Sequence, residues 1–344
     1  MKLPVLYLIA WLTAAIVTAG SLPLTYRSIG KFLTDIPGGL KHHKTAIPMI
    51  GGCAIFLGTL SSLLLIRLIT NFPPGTLHNL RGILGAGTLI FALGLIDDLR
   101  KPKGLSVITR LLVQGTACAI LIYYGVYIQI FQSSWVNYSL TFFWLLTLTN
   151  AFNLLDITDG LCISQALCCA IGLLVISLPG EMWYVNFAAL ALLGSALAFW
   201  PHNHWGNKIF LGDSGSTFLG FMIAALSMGT QYSRYNIYGY AAPLFVAAVP
   251  LLDTAFVTIA RLLQGKNPLL GSPDHLALKL KAEKHLSNRA VVCIFLLAGV
   301  LCNLWALFIT QNNPQNTPAC VLISFLAGGL FLVWLFHKLP TSTH

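Results

Sequence analysis

The sequence predicts an all-α polytopic membrane protein, on three observations. Of its 344 residues, 56% are hydrophobic, only 9% are charged, and the mean hydropathy is +0.78. A soluble domain carries about 25% charged residues, so charges this sparse cannot coat an aqueous surface. The apolar runs are also continuous over about 20 residues, the length a helix needs to cross hydrocarbon about 30 Å thick, whereas barrel strands alternate.

About eleven transmembrane helices are expected, over residues 3–24, 48–70, 80–97, 105–127, 135–152, 161–179, 183–200, 211–229, 238–261, 290–310 and 317–337. The fifth carries polar residues and the third is short. Lys2 before the first run also fits a signal peptide, but no small-residue cleavage site follows and the apolar pattern continues through Leu22, Pro23 and Leu24. No repeat, low-complexity tract or soluble domain interrupts the chain. The longest loop is 262–289, so residues 1–344 read as a single integral-membrane domain.

Charge sets the expected orientation. On this map every Lys and Arg except Lys2, Arg67, Arg81 and Arg234 falls on one side. The positive-inside rule makes that side cytoplasmic, with the amino terminus outside and the carboxyl terminus inside. The net charge of +10 is then topology together with attraction for anionic lipid or an anionic substrate, and no nucleic acid is needed to explain it. The eight cysteines form no CxxC pair and read as small buried hydrophobes.

The chain has ten acidic residues, and they are unevenly placed. All but Glu181 and Asp253 map to the cytoplasmic side. Five cluster at the ends of apolar runs, in "GLIDDLRK" (Asp97, Asp98), "NAFNLLDITDGL" (Asp156, Asp159) and "FLGDSGS" (Asp213). Solvating acids would scatter over both faces. Carboxylates gathered at one membrane boundary beside Gly, Asn and Ser point to a metal or phosphate site. Magnesium is usually held by one or two carboxylates plus substrate phosphates, and nearby Lys, Arg and His suit the anionic substrate. The stretch "DIPGGLKHHKTAIPMIGG" (35–52) adds Asp35, Lys41, His42, His43 and Lys44 as a substrate-facing loop. A basic loop at 265–289 adds Asp274, His275 and His285 and a short amphipathic helix at the interface.

Taken in order, these stretches resemble the polyprenyl-phosphate N-acetylhexosamine-1-phosphate transferases. The resemblance rests on Asp35-x-Pro37, Lys41-x-His43, Pro48-x-x-Gly51-Gly52 and Asp97-Asp98. It continues through Asn150-x-x-Asn153-x-x-Asp156-x-x-Asp159-Gly160 and "FLGDSGSTFLGF" around Asp213, and ends with Arg261 and a Pro-Asp-His loop. It covers most of the chain. Each motif is loose, and the ordered set is specific.

The resemblance implies transfer of a sugar 1-phosphate from a UDP-sugar to undecaprenyl phosphate, with Mg2+ (or Mn2+), on the cytoplasmic face of a bacterial inner membrane. The amino terminus would then be periplasmic. UMP leaves, and the product starts a lipid-linked cell-surface glycan such as O-antigen. By the same resemblance, Asp97 keeps the lipid phosphate ionised for attack, Asp98 helps hold metal and phosphate, and Asp213 is the principal metal ligand. Asn153, Asp156 and Asp159 shape the nucleotide and sugar-phosphate site, Lys44 and His43 bind uridine diphosphate, and His275 contacts substrate. Membrane lipids and a second copy in a homodimer complete the expected partners.

Two departures from the family pattern stand out. Ile157 replaces a Gly, so the turn after Asp156 is expected to differ, because a β-branched residue resists positive φ. The late loop keeps only His275 of the family's clustered histidines, with Ala277 and Leu278 following. Sparse histidines favour a simple N-acetylhexosamine such as GlcNAc, or a FucNAc or QuiNAc relative, over the muramoyl-pentapeptide donor. A transporter or flippase is the alternative from another class. It would place charges at the midplane of repeated halves, and Asp253 in "PLLDTAFV" is the residue in its favour.

Overall fold

The computed structural model describes residues 2–35, 46–180, 182–204, 209–233, 236–267, 274–312 and 315–338. Every predicted apolar stretch is helical. The helices are α1 (Leu3–Ile29), α2 (Gly51–Ile69), α3 (Thr76–Leu99), α4 (Val107–Tyr123), α5 (Ser134–Leu155), α6 (Leu161–Ser177), α7 (Trp183–His204) and α8 (Gly212–Gly229), then α9 (Ala242–Val246), α10 (Ala248–Leu263), α11 (Leu276–Lys284), α12 (Asn288–Gln311) and α13 (Thr317–Lys338). A two-stranded antiparallel pair, β1 (Thr34–Asp35) and β2 (Ile47–Pro48), brackets the loop before α2.

Among the described residues, seven helices are long and apolar enough to cross a membrane, or eight if the bent α9–α10 unit is one span. The chain is therefore a multi-pass membrane protein. The larger expected number included α4, which has 17 residues, and α5 and α8. These last two trade apolar length for polar contacts with each other. The Trp144 indole N–H donates to Ser227 Oγ (2.8 Å), and Ser216 Oγ donates to Asn153 Oδ1 (2.8 Å).

Polar pairs of this kind recur because lipid supplies no hydrophobic drive between helices, so packing and hydrogen bonds do the joining. Ser62 Oγ donates to the Ala10 carbonyl (2.7 Å), and Asn186 Nδ2 donates to Tyr7 Oη (2.9 Å), tying α1 to α2 and α7. Asn303 Nδ2 donates to the Cys168 carbonyl (2.8 Å), tying α12 to α6. Outside this core, α13 is almost wholly exposed along its apolar length, as a lipid-facing helix is. All eight cysteines are free; five are buried as expected, whereas Cys302 and Cys320 are half-buried and Cys293 is exposed on α12.

The predicted span 238–261 is broken. α9 and α10 meet at 65°, and Pro250 explains the break. Its ring removes the N–H that would bond the Val246 carbonyl four residues earlier. That carbonyl instead accepts from Cys169 Sγ (3.1 Å), so the group that Pro250 cannot serve still has a partner.

Candidate active site

The site forms where the carboxyl end of α3 meets the amino end of α8. Asp97 and Asp98 lie in the last turn of α3, each 3% exposed. Asp98 reaches across to α8. Its Oδ1 accepts from the Asp213 backbone N–H and its Oδ2 from the Ser214 backbone N–H, both at 2.9 Å. A helix amino terminus leaves its first N–H groups unpaired and carries partial positive charge, so a carboxylate there is doubly favoured. Gly212 makes the approach possible. Its φ is +75°, and a Cβ at this position would stand 2.7 Å from Asp98 Oδ2.

Asp97 is held differently. It accepts from the Leu105 backbone N–H and pairs with the Arg110 guanidinium from the first turn of α4. Arg110 Nη2 also lies 3.9 Å from Asp213 Oδ2. Lys101 completes the cluster, with its Nζ 2.9 Å from Asp98 Oδ1 and 3.2 Å from Asp213 Oδ1. Burial opposes the Lys101 charge, but Asp213 and Asp98 outweigh it and hold the ammonium protonated well above the usual lysine range.

Asp156 adjoins this cluster from the end of α5. Burial and then the Asp213 carboxylate push its carboxyl above the usual range, against the pull of Lys101. Asp159 acts on Asp156 in the same sense. Asn153 of α5 accepts from Ser216 of α8 and so helps fix the distance between those helices. The turn after Asp156 asks no positive φ of Ile157. The left-handed residue is Gly160 (φ +80°), whose N–H donates to Asn203 Oδ1 (2.9 Å). The Ile157 departure is thus absorbed without strain.

His275 sits beside the turn that carries Asp156, since Leu276 and Ala277 pack in one apolar cluster with Leu155, Ile157 and Leu161. It is 1% exposed, and its Nδ1 lies 2.8 Å from Asp253 Oδ2 on α10. The other Asp253 oxygen accepts from the Leu276 N–H at the start of α11 (2.9 Å). The intramembrane acid and the lone histidine are one buried latch, which holds α11 against α10. Lys279 pairs with Asp274 (3.2 Å) beside it. His43 and Lys44 lie outside the described residues.

The structure therefore brings Asp97, Asp98, Asp156 and Asp213 together and ties His275 to Asp253 in a latch that packs beside the Asp156 turn. It adds Lys101 and Arg110, which the sequence offered only as topology charges. The available signal was spacing, since Lys101 follows Asp97 and Asp98 by one helical turn. Among the described residues, no three His, Cys, Asp or Glu side chains converge on a common ion position. A cavity of about 920 Å3 lies elsewhere, lined by Phe143, Trp144, Ser227 and Tyr240. It sits at the opposite ends of α5 and α8, roughly 25 Å from the aspartates by the rise of α8.

The chain is similar to known proteins over most of its length. Residues 80–231, which hold every element of the aspartate cluster, match the glycosyl transferase family 4 model. A "probable undecaprenyl-phosphate N-acetylglucosaminyl 1-phosphate transferase" of Bacillus subtilis is 29% identical over 89% of this chain and 85% of its own length. A decaprenyl-phosphate N-acetylglucosaminephosphotransferase of Mycobacterium leprae is 30% identical over 85% of this chain and 80% of its own length. The undecaprenyl-phosphate alpha-N-acetylglucosaminyl 1-phosphate transferase of Escherichia coli K12 is 27% identical over 87% and 82%. With motifs, geometry and near-full-length similarity in accord, the chain belongs to glycosyl transferase family 4.

Proposed function

We propose that this chain transfers N-acetylglucosamine 1-phosphate from its UDP-sugar to undecaprenyl phosphate. One observation carries the reading. Asp97, Asp98 and Asp213, from two different helices, meet at one end of the bundle with two cations, Lys101 and Arg110, between them. A phosphate oxygen of the lipid attacks the sugar-bearing phosphorus. The bond from that phosphorus to the bridging oxygen of the diphosphate breaks, and UMP leaves with the electron pair. A phosphate monoester has its second pKa near about 6, so Asp97 need only keep it ionised. Lys101 and Arg110 offset charge on the diphosphate as the bond breaks.

The donor set fits a divalent cation. Four carboxylates, Asp97, Asp98, Asp156 and Asp213, outnumber the two cations beside them, and Asp213 is the most exposed of the paired three, with its side chain 20% open. Mg2+, or Mn2+ in its place, would be held chiefly by Asp213, with Asp98 behind it and substrate phosphates supplying the remaining oxygens. When bound, it supplies charge neutralisation of the diphosphate.

The reading places the active site on the cytoplasmic face of a bacterial inner membrane, the amino terminus in the periplasm, and about eleven helices across the bilayer. The test is a donor panel. Purified protein in detergent receives undecaprenyl phosphate, Mg2+ and UDP-GlcNAc, UDP-FucNAc or UDP-MurNAc-pentapeptide. Labelled lipid and UMP with UDP-GlcNAc support the proposal. Labelled lipid with a different donor alone would keep the chemistry and overturn the sugar.

A further inference from the structure

The Lys101 ammonium is not a bystander to the carboxylates. It bridges Asp98 Oδ1 (2.9 Å) and Asp213 Oδ1 (3.2 Å), with Met49 Sδ at 3.4 Å on a third side. The other Asp213 oxygen faces Arg110 at 3.9 Å. Both oxygens of the principal metal-ligand candidate therefore already face a protein cation. Both oxygens of Asp98 are also engaged, by backbone N–H groups of α8. A magnesium ion sits about 2.1 Å from its oxygen ligands. At that distance from Asp213 Oδ1 it would stand within about 5 Å of the Lys101 ammonium, where two cations repel at the effective dielectric of a protein.

The two protein cations differ in their freedom to give way. Arg110 is fixed to Asp97 by its planar guanidinium. Lys101 is a point charge on a flexible four-carbon stem, and its side chain is 32% exposed. It can leave by rotating its own bonds, without moving a helix.

We infer that Lys101 and the divalent cation exchange at Asp213. Without the ion, Lys101 bridges Asp98 and Asp213 and offsets their mutual repulsion. As the ion enters, the ammonium turns out, and its three N–H donors become available to the donor diphosphate. The inference rests on the proposed metal-dependent transfer reading, and it gives Lys101 a positioning role that alternates between carboxylate and phosphate.

The test uses the full chain in detergent, without substrate, and Mn2+ alone as the probe. Electron paramagnetic resonance titration of free Mn2+ gives the affinity of wild type, Lys101→Met and Lys103→Met. Lys103 is the control, because it is an exposed cation two residues away that touches none of the carboxylates named above. Exchange predicts that Lys101→Met binds Mn2+ about tenfold more tightly, while Lys103→Met stays within about twofold of wild type. This is a gain that a purely structural role would not produce. A second readout needs no variant. Acylation of lysine amines, read by mass spectrometry, should rise several-fold at Lys101 when Mn2+ is added to wild type and stay level at Lys103. Unchanged or weaker Mn2+ binding by Lys101→Met, or unchanged labelling of Lys101, would overturn the exchange. Wild-type transfer with Mn2+, measured alongside, separates the two readings. Transfer without the Lys101 response overturns the exchange alone, whereas absence of both Mn2+ binding and transfer overturns the exchange together with the reading beneath it.

Discussion

Asp98 accepts the backbone N–H of Asp213 at 2.9 Å, so the residue expected to hold the metal is also the clamp that sets where the principal metal ligand stands. Its second oxygen does the same for Ser214. An aspartate at the end of α3 thereby fixes the first turn of α8, and the side chain of Asp213 inherits that placement.

Asp98→Asn tests the clamp. The amide keeps one acceptor oxygen but turns an NH2 donor toward a backbone N–H, and a charge-assisted bond is lost. The expected cost is about 2 kcal/mol of stability, read as a fall in thermal midpoint. Transfer activity should fall by about 100-fold or more, the scale of losing one preorganised electrostatic contact.

Gly212→Ala tests the same junction from the other side. Alanine at φ +75° costs about 1–2 kcal/mol, and its Cβ would stand 2.7 Å from Asp98 Oδ2. The variant should fold with a lowered midpoint and lose most of its activity because Asp98 is pushed off the α8 terminus. Wild-type activity in this variant would mean that Asp98 need not touch α8 during turnover.

Asp253→Asn probes the latch. Asparagine keeps one acceptor oxygen but leaves a buried hydrogen-bond partner unmatched, at a cost of about 1–3 kcal/mol, and here it also loosens the hold on Leu276 N–H. Hydrogen exchange over Leu276–Lys284 should accelerate while α3 and α8 keep their protection. In the transfer assay KM for the UDP-sugar should rise more than kcat falls, because α11 is released but the aspartate cluster is intact.

Much of this was legible in the sequence, for identifiable reasons. The apolar runs gave the helices because lipid contact is written directly into hydropathy. Asp97, Asp98, Asp156 and Asp213 were readable because acids at the ends of apolar helices are costly without a purpose. Other features required the fold. The Asp98–Asp213 bond joins residues 115 apart, and no local pattern encodes it. Asp253 and His275 looked like two separate puzzles, an intramembrane acid and a lone histidine, until the fold placed them 2.8 Å apart. Lys101 and Arg110 were absorbed by the positive-inside pattern, since the same charge serves topology and chemistry. The break between α9 and α10 had a signal in Pro250, but an apolar run read by length alone passes over it.

The central claim is that the carboxylate cluster around Asp213 carries metal-dependent sugar-phosphate transfer. The most direct test compares wild type with Asp213→Asn, using radiolabelled UDP-GlcNAc, undecaprenyl phosphate and a Mg2+ series. The account predicts labelled lipid from wild type, abolished by chelation and restored by Mg2+. Asp213→Asn should be reduced by about 100-fold or more at saturating metal, with its thermal midpoint nearly unchanged. Full activity in Asp213→Asn, or transfer by wild type that is indifferent to chelation, would contradict it.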